Sequence, residues 1–291
     1  MDITNQSLRR HSVGPIDPIS WVDVDGVKLA VSRRGAGFPM LCLHATGHGG
    51  RDFEALSQLL ENEPVEIITL DWPGQGRSED DASDQMASAL RYAQLLNVVV
   101  PKLFGEKKIA ILGNSIGGAA AIRYAHASPD EVAALIISNA GGLAPMDWLA
   151  RTVIGGTIRF FGAGERGAGW FPRAFGVYYK MVLPAAPAKA QRGRIIAASG
   201  ETAPVIAQAW RSFAGADDDI RPLLSRLKIP IFFAWAKQDR LVAYERSRAA
   251  IEAYPHATVE LFPGGHSPFL EAPEAFAASL TRFLRLQGLI E

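Results

Sequence analysis

Residues 109–127 of this chain read IAILGNSIGGAAAIRYAHA. The stretch opens with an apolar run that predicts a short buried strand, and it closes with small residues that predict a helix. Between them lies a G-x-S-x-G pattern with Ser115 at its centre. A strand-to-helix turn this sharp strains its central residue and lifts the serine hydroxyl clear of the sheet, beside the free N–H groups of the helix. We therefore expect Ser115 to be a nucleophile and the Ile116 backbone N–H to be one donor of an oxyanion hole.

Strand patterns and helix patterns alternate on both sides of this turn. A hairpin is predicted around Asp25-Gly26, where two alternating runs meet at a turn dipeptide. Further strand patterns occur at 39–43, 65–70, 132–138, 229–235 and 258–262, and helical spacing separates most of them. Strands that alternate with helices predict an α/β fold built on a parallel buried sheet.

The alternation stops between residues 143 and 222. This segment has no convincing strand pattern, but it is rich in aromatic residues that would otherwise remain in water. We therefore predict a core formed by residues 1–142 and 223–291, and a helical cap formed by residues 143–222. Aromatic side chains of the cap, among them Trp148 and Trp210, are expected to bind the apolar part of a substrate.

A serine hydroxyl needs a base, and the base needs an orienting acid. Asp239 follows the predicted strand at 229–235, and His266 follows the predicted strand at 258–262. Both therefore lie at the carboxyl ends of strands, which is where open α/β sheets place their sites. The order Ser, Asp, His along the chain predicts that Ser115, Asp239 and His266 form a catalytic triad.

The composition argues against several classes of protein. The 291 residues include 30 Lys and Arg and 30 Asp and Glu, so neither a nucleic acid nor an anionic membrane is indicated as a partner. A single cysteine excludes an internal disulfide, and no histidine pair has metal-ligand spacing on a helix, so no metal or other cofactor is expected. The N-terminus at 1–15 lacks an apolar signal segment, and no run of about 18 apolar residues occurs. We expect a cytoplasmic protein with a small-molecule substrate, and a homodimer is left open.

Five pieces of the chain together resemble the α/β-hydrolase superfamily, over about residues 20–288. They are the loop that begins at His44, the segment DWPGQGRS at 71–78, and the Ser115, Asp239 and His266 turns. The resemblance implies the α/β-hydrolase fold, with a mostly parallel eight-stranded sheet flanked by helices and an inserted helical cap. It also implies that Thr46, two residues after His44, donates the second backbone N–H of the oxyanion hole, although Ala45 stands where the family usually has glycine.

The same resemblance narrows the reaction to a serine hydrolase. Haloalkane dehalogenases and epoxide hydrolases of this superfamily have aspartate as the nucleophile, and Ser115 argues against both. We expect hydrolysis of a carboxylic ester or lactone of a small hydrophobic substrate through an acyl-enzyme. A receptor-like member that binds a ligand without turnover is an alternative from a different class.

A second hydrolytic alternative is C–C cleavage of a vinylogous diketo acid. The segments GNSIGG at 113–118 and GGL at 141–143 resemble the meta-cleavage-product hydrolases, and Arg194 would then clamp the carboxylate of the diketo acid. Those enzymes have a His-Gly-x-Gly-Pro-Gly loop that is absent here, and Ser267 replaces the tryptophan that follows their catalytic histidine. We therefore favour ester hydrolysis over C–C cleavage, and we expect Arg194 to lie on the outer face of the cap.

Overall fold

In the computed structural model, which describes residues 19–81, 83 and 85–291, eight strands form one sheet. In chain order they are β1 (Ile19–Val24), β2 (Val27–Gly35), β3 (Phe38–Leu43), β4 (Val65–Leu70), β5 (Ile109–Asn114), β6 (Val132–Ser138), β7 (Ile231–Ala236) and β8 (Ala257–Phe262). Their spatial order is β1-β2-β4-β3-β5-β6-β7-β8, antiparallel at β1–β2 and β2–β4 and parallel elsewhere. The predicted mostly parallel, eight-stranded sheet is confirmed.

Helices cover both faces of this sheet. In chain order they are α1 (Glu54–Leu59), α2 (Ala89–Phe104), α3 (Ile116–Ala127), α4 (Trp148–Glu165), α5 (Phe171–Val182), α6 (Lys189–Ala197), α7 (Ser199–Ser212), α8 (Arg221–Leu224), α9 (Tyr244–Glu252), α10 (Pro268–Glu271) and α11 (Pro273–Leu286). None of the helices in the described ranges combines the length and the apolar character that a membrane crossing needs. The predicted lack of a signal segment concerns residues 1–15, which lie outside the described residues.

Strand β5 lies near the centre of the sheet and is buried on both faces, which explains why its sequence is an unbroken apolar run. Ile109 and Ile111 enter one buried hydrophobic cluster, while Ala110 and Leu112 enter a second cluster. Successive side chains of a strand point to opposite faces, and both faces are covered by helices, so every position of β5 is buried. The strand β7 begins at Ile231 rather than at residue 229, because Pro230 has no N–H to donate to the sheet.

The segment between β6 and β7 contains the helices α4 to α8. Helix α4 packs along α7, and the rings of Phe161 and Trp210 stack between them at 6.1 Å. Phe175 and Tyr179 of α5 belong to the same buried cluster as Phe269 of the core, so these helices pack on the sheet layer. The domain boundary predicted between residues 222 and 223 falls within α8.

Candidate active site

The turn after β5 holds Ser115 in a conformation that few non-glycine residues adopt. Its φ is 55° and its ψ is −118°, and its N–H donates to the carbonyl oxygen of Ser138 on β6 at 2.9 Å. The turn closes only because its neighbours lack side chains: a Cβ at Gly117 would lie 2.4 Å from the Leu43 carbonyl oxygen. Ser115 is thereby held at the carboxyl end of the sheet, directly before α3. As the first residue of α3, Ile116 has a backbone N–H without an acceptor inside the helix.

Asp239 and His266, which are 27 residues apart, meet at the ends of β7 and β8. The Nδ1 atom of His266 lies 2.8 Å from Oδ2 of Asp239, and both side chains are buried. The other carboxylate oxygen, Oδ1, accepts the backbone N–H groups of Leu241 and Val242 at 2.7 and 2.9 Å. This carboxylate therefore holds a defined position from which it orients the imidazole ring.

The charges of this pair shift both acid–base equilibria. Burial would lower the pKa of His266, but the Asp239 carboxylate, together with Glu271, raises that pKa above its ordinary value. Burial would raise the pKa of Asp239, but the His266 ring and two backbone N–H groups lower that pKa below its ordinary value. The dyad is thus arranged to keep Asp239 ionised and to stabilise a protonated His266.

Asn139 holds the acid from the neighbouring strand end. It follows β6 with a φ of 48°, and its Nδ2 atom donates to Oδ2 of Asp239 at 2.5 Å. Its Oδ1 atom accepts the backbone N–H of Ala236 at 3.1 Å, which fixes which end of the amide faces the acid. The structure shows Asn139 as a hydrogen-bond donor to the Asp239 carboxylate.

Two further residues position the His266 turn, and sequence reasoning missed both. Glu271 is 4% exposed, and its Oε2 atom accepts the backbone N–H groups of Gly265, His266 and Ser267 at 2.7, 2.9 and 3.2 Å. Asn114, directly before Ser115, donates to the His266 carbonyl oxygen at 3.1 Å. A glutamate five residues after a candidate base, within an otherwise apolar stretch, is the signal that could have revealed the first of them.

We expect Glu271→Gln to destabilise the protein and to slow its chemistry. The amide oxygen of glutamine can replace Oε2, but its NH₂ group would then face the backbone N–H of Ala185, which donates to Oε1 of Glu271 at 3.3 Å. Loss of one or two charge-assisted hydrogen bonds should lower the free energy of unfolding by about 2 to 4 kcal/mol. Urea denaturation measures this, and kcat should fall more than KM changes, because Glu271 does not face the cavity. The exposed Glu274→Gln is the matched control, and equal stability of the two variants would contradict this role.

The loop after β3 approaches the same place from the other side. Burial lowers the pKa of His44, whose Nε2 atom accepts the backbone N–H of Trp72 at 3.0 Å. The backbone N–H of Gly47 donates to Oε1 of Gln75 at 2.6 Å. Thr46 lies between these two anchored positions, and its hydroxyl is buried without a hydrogen-bond partner. The loop is therefore held at both ends around Thr46.

A single cavity of about 290 Å³ brings these pieces together. Ser115, His266, Ala45 and Thr46 line its floor from the core. Its other walls are mainly apolar and include Leu149, Val153, Ile154, Phe161, Tyr178, Ile206, Trp210 and Phe213 of the helical segment. Within the described residues, no hydrogen bond joins the Ser115 hydroxyl to His266, although both reach this cavity. No group of three or more His, Cys, Asp and Glu side chains in the described ranges has a metal-ligand arrangement.

The three residues predicted to bind substrate have different positions. Trp210 lines the cavity. Trp148 does not: it begins α4 with 76% of its surface exposed. Arg194 also lies outside the cavity wall, where its Nε atom donates to Oε1 of Gln191 at 2.6 Å and its guanidinium is 3.7 Å from Glu54. This placement is the outer one that is expected of Arg194 in an esterase.

Comparison with known proteins assigns the family. The sequence model of the Alpha/beta hydrolase family matches residues 40–279, a range that contains the Ser115, Asp239 and His266 turns. The chain therefore belongs to the alpha/beta hydrolase family and is an enzyme of the hydrolase class. Among its relatives, the RutD protein of Cronobacter sakazakii, which bears the name of a carbamate hydrolase, is 27% identical over 272 residues. That alignment covers 87% of this chain and 94% of the relative.

Solved structures share the same fold at lower identity. An esterase from Exiguobacterium antarcticum superposes with a TM-score of 0.76 at 20% identity, covering 90% of this chain and 97% of that one. A bromoperoxidase from Bacillus anthracis superposes with a TM-score of 0.78 at 19% identity, covering 92% of this chain and 100% of that one.

Proposed function

We propose that this protein hydrolyses a carboxylic ester or lactone of a small hydrophobic substrate through a Ser115–His266–Asp239 triad. The observation that carries the proposal is the buried Asp239–His266 pair, whose histidine lines the same cavity as the strained Ser115 turn. A base oriented by a carboxylate, beside a serine at a helix N-terminus, is the arrangement that acyl transfer requires.

The proposed reaction has two halves. In the first, Nε2 of His266 takes the Ser115 hydroxyl proton while Oγ attacks the carbonyl carbon, and the protonated ring then gives that proton to the leaving alcohol. In the second, His266 takes a proton from water while the water oxygen attacks the acyl carbon. The bond from that carbon to Oγ of Ser115 then breaks, His266 returns the proton to Oγ, and the acid is released. The backbone N–H groups of Ile116 and Thr46 stabilise the negative oxygen in both halves.

The helical segment at 143–222 is proposed to act as a lid that supplies an apolar pocket. Its side chains form most of the cavity wall. Transfer of each methylene group of a substrate from water to such an apolar wall makes the free energy of binding more favourable by about 0.8 kcal/mol. This favours esters with short hydrocarbon chains over small or strongly charged esters.

A panel of p-nitrophenyl esters tests this function. We expect kcat/KM to rise about fourfold per added methylene from acetate through butyrate, until the cavity is filled. A receptor-like protein would bind these esters without turnover, which would refute the proposal. A 2-hydroxy-6-oxo-dienoate belongs in the same panel, and turnover comparable with that of butyrate esters would replace ester cleavage by C–C cleavage. The pairing of Arg194 with Gln191 and Glu54 supports the ester, because that arginine is then not aimed at a substrate carboxylate.

The pH dependence of kcat/KM should follow the protonation of His266, the proposed base. His266 acts as a base only when it is neutral, and its pKa is raised, chiefly by Asp239 acting against burial. Activity should therefore be low in acid and should rise through an apparent pKa above the ordinary histidine value of about 6.5. Initial rates with p-nitrophenyl butyrate, together with a check that the protein stays folded at each pH, measure this. A profile without any rise between about pH 5 and 8 would contradict the assignment of His266.

A further inference from the structure

The cavity contains a second imidazole that is held by a carboxylate. His48 lines the cavity, and its Nδ1 atom lies 2.5 Å from Oδ2 of the fully buried Asp52. The other oxygen of Asp52 accepts Nε2 of Gln191, on helix α6, at 2.5 Å. The ring of Tyr179 covers the imidazole with a centroid separation of 5.6 Å. His48 is therefore fixed from both the core and the helical segment, and the ester mechanism above does not use it.

This arrangement determines which nitrogen of His48 remains available. An ionised carboxylate can only accept hydrogen bonds, so the Nδ1 atom carries the hydrogen that faces Asp52. Whenever the ring carries no second hydrogen, its Nε2 atom has a lone pair and acts as an acceptor. No side chain or backbone group of the described residues donates a hydrogen bond to that atom. An oriented acceptor in a mainly apolar cavity is a feature that a ligand can satisfy.

Thr46 supplies an independent observation on the same loop. Its hydroxyl oxygen is buried and has no hydrogen-bond partner, although Thr46 also lines the cavity. Buried polar groups are nearly always hydrogen-bonded, and an unsatisfied one calls for an explanation. A threonine hydroxyl can donate one hydrogen bond, whereas the neutral His48 ring can accept one. Together they offer one donor and one acceptor within two residues of the chain.

We propose that His48 and the Thr46 side chain form a subsite for a hydroxyl group of the substrate. A hydroxyl donates one hydrogen bond and accepts others, so it can pair with the acceptor of His48 and with the donor of Thr46. The substrate class is then an ester or lactone that carries a free hydroxyl on its acyl or alcohol portion. This inference rests on the proposed ester hydrolysis. It adds a preference for a hydroxyl-bearing substrate, which the apolar walls alone would not give.

The experiment compares hydroxyl-bearing esters with apolar esters of the same shape. For the acyl portion, p-nitrophenyl 2-hydroxybutyrate and 3-hydroxybutyrate are paired with the 2-methyl and 3-methyl analogues. For the alcohol portion, 2-hydroxyethyl butyrate is paired with propyl butyrate. In at least one pair, the wild-type protein should prefer the hydroxyl-bearing ester by about tenfold in kcat/KM, the effect of one or two satisfied hydrogen bonds. The pair that shows this preference identifies the portion that the subsite binds.

Variants assign the preference to the subsite. His48→Phe keeps a ring and removes the acceptor, so it should abolish the preference mainly through a higher KM for the hydroxyl-bearing ester. His48→Gln keeps an acceptor and should retain part of the preference, and Thr46→Val keeps the backbone N–H while removing only the hydroxyl. The exposed His256→Phe is the matched control and should behave as the wild-type protein does. Thr46→Val also keeps the test decisive if His48→Phe does not fold.

The outcomes separate this inference from the proposed function. If every ester is turned over and no hydroxyl-bearing ester is preferred, the subsite is refuted while ester hydrolysis stands. The same conclusion follows if the preference survives in both His48→Phe and Thr46→Val. If no ester of any pair is turned over, it is the proposed hydrolysis that fails.

Discussion

Ser115→Ala should lower kcat for p-nitrophenyl butyrate by a factor on the order of a thousand or more. The Ser115 hydroxyl is the proposed nucleophile, and alanine removes the atom that would form the acyl-enzyme. Activity above the rate in water should persist, because the Ile116 and Thr46 N–H groups and the cavity still bind the ester. Initial rates at saturating substrate measure kcat, and mass spectrometry of the intact protein during turnover should detect an acyl adduct in the wild-type protein alone.

Ser225→Ala is the matched control for this variant. Ser225 lies directly after α8, where its hydroxyl donates to the Pro222 carbonyl oxygen at 3.0 Å on the surface. Its replacement should leave kcat unchanged. The Ser115 variant should also unfold at a temperature close to that of the wild-type protein, because alanine and serine have the same difficulty with a positive φ. Wild-type turnover by pure Ser115→Ala would show that another group attacks the ester.

Asp239→Asn should lower kcat by a factor on the order of a thousand to ten thousand, as the loss of the orienting acid does in serine proteases. Four donors face this carboxylate: the His266 ring, Asn139 and two backbone N–H groups. An asparagine can present its oxygen to the backbone pair only by turning its NH₂ group toward Asn139 and His266. The ring must then accept at Nδ1 and carry its hydrogen on Nε2, and it can no longer take the proton of Ser115.

Two measurements distinguish this effect from simple destabilisation. The variant should bind substrate with a KM within a few fold of the wild-type value, since Asp239 is buried behind His266 and does not line the cavity. The exposed Asp130→Asn should leave both constants unchanged. If Asp239→Asn were folded and fully active, the orienting role would have to be reassigned to another acid.

The elements nearest to the chemistry could be predicted because their signals are local. The Ser115 turn needs small residues within two positions of the serine, and that pattern is visible in the sequence alone. The buried strands β5 and β6 are continuous apolar runs of the expected length, and the structure contains both. The order of the strands along the chain then brings Asp239 and His266 to the same edge of the sheet as Ser115, because parallel strands end together.

The helical segment was harder to predict in detail, because helical spacing does not say which face meets the core. Trp148 and Trp210 are equally aromatic, but Trp210 turns into the cavity and Trp148 turns to the solvent. Arg194 likewise has a charge whose partner cannot be seen in the sequence: Glu54 is 140 residues earlier in the chain. The phase of a helix about its own axis is determined by packing against neighbours, and these neighbours are distant in sequence.

The sequence by itself therefore determined the α/β alternation, the helical character of the insertion and the identity of the three candidate triad residues, since each depends on short-range pattern and strand order. Only the tertiary structure decided how those residues are supported. The hydrogen bonds from Asn139 to Asp239, from Asn114 to the His266 carbonyl oxygen, and from Gln191 to Asp52 join residues that are far apart in the chain and are buried together. Buried polar groups must find partners wherever the packed chain brings a donor and an acceptor within reach, and that pairing follows from the three-dimensional packing.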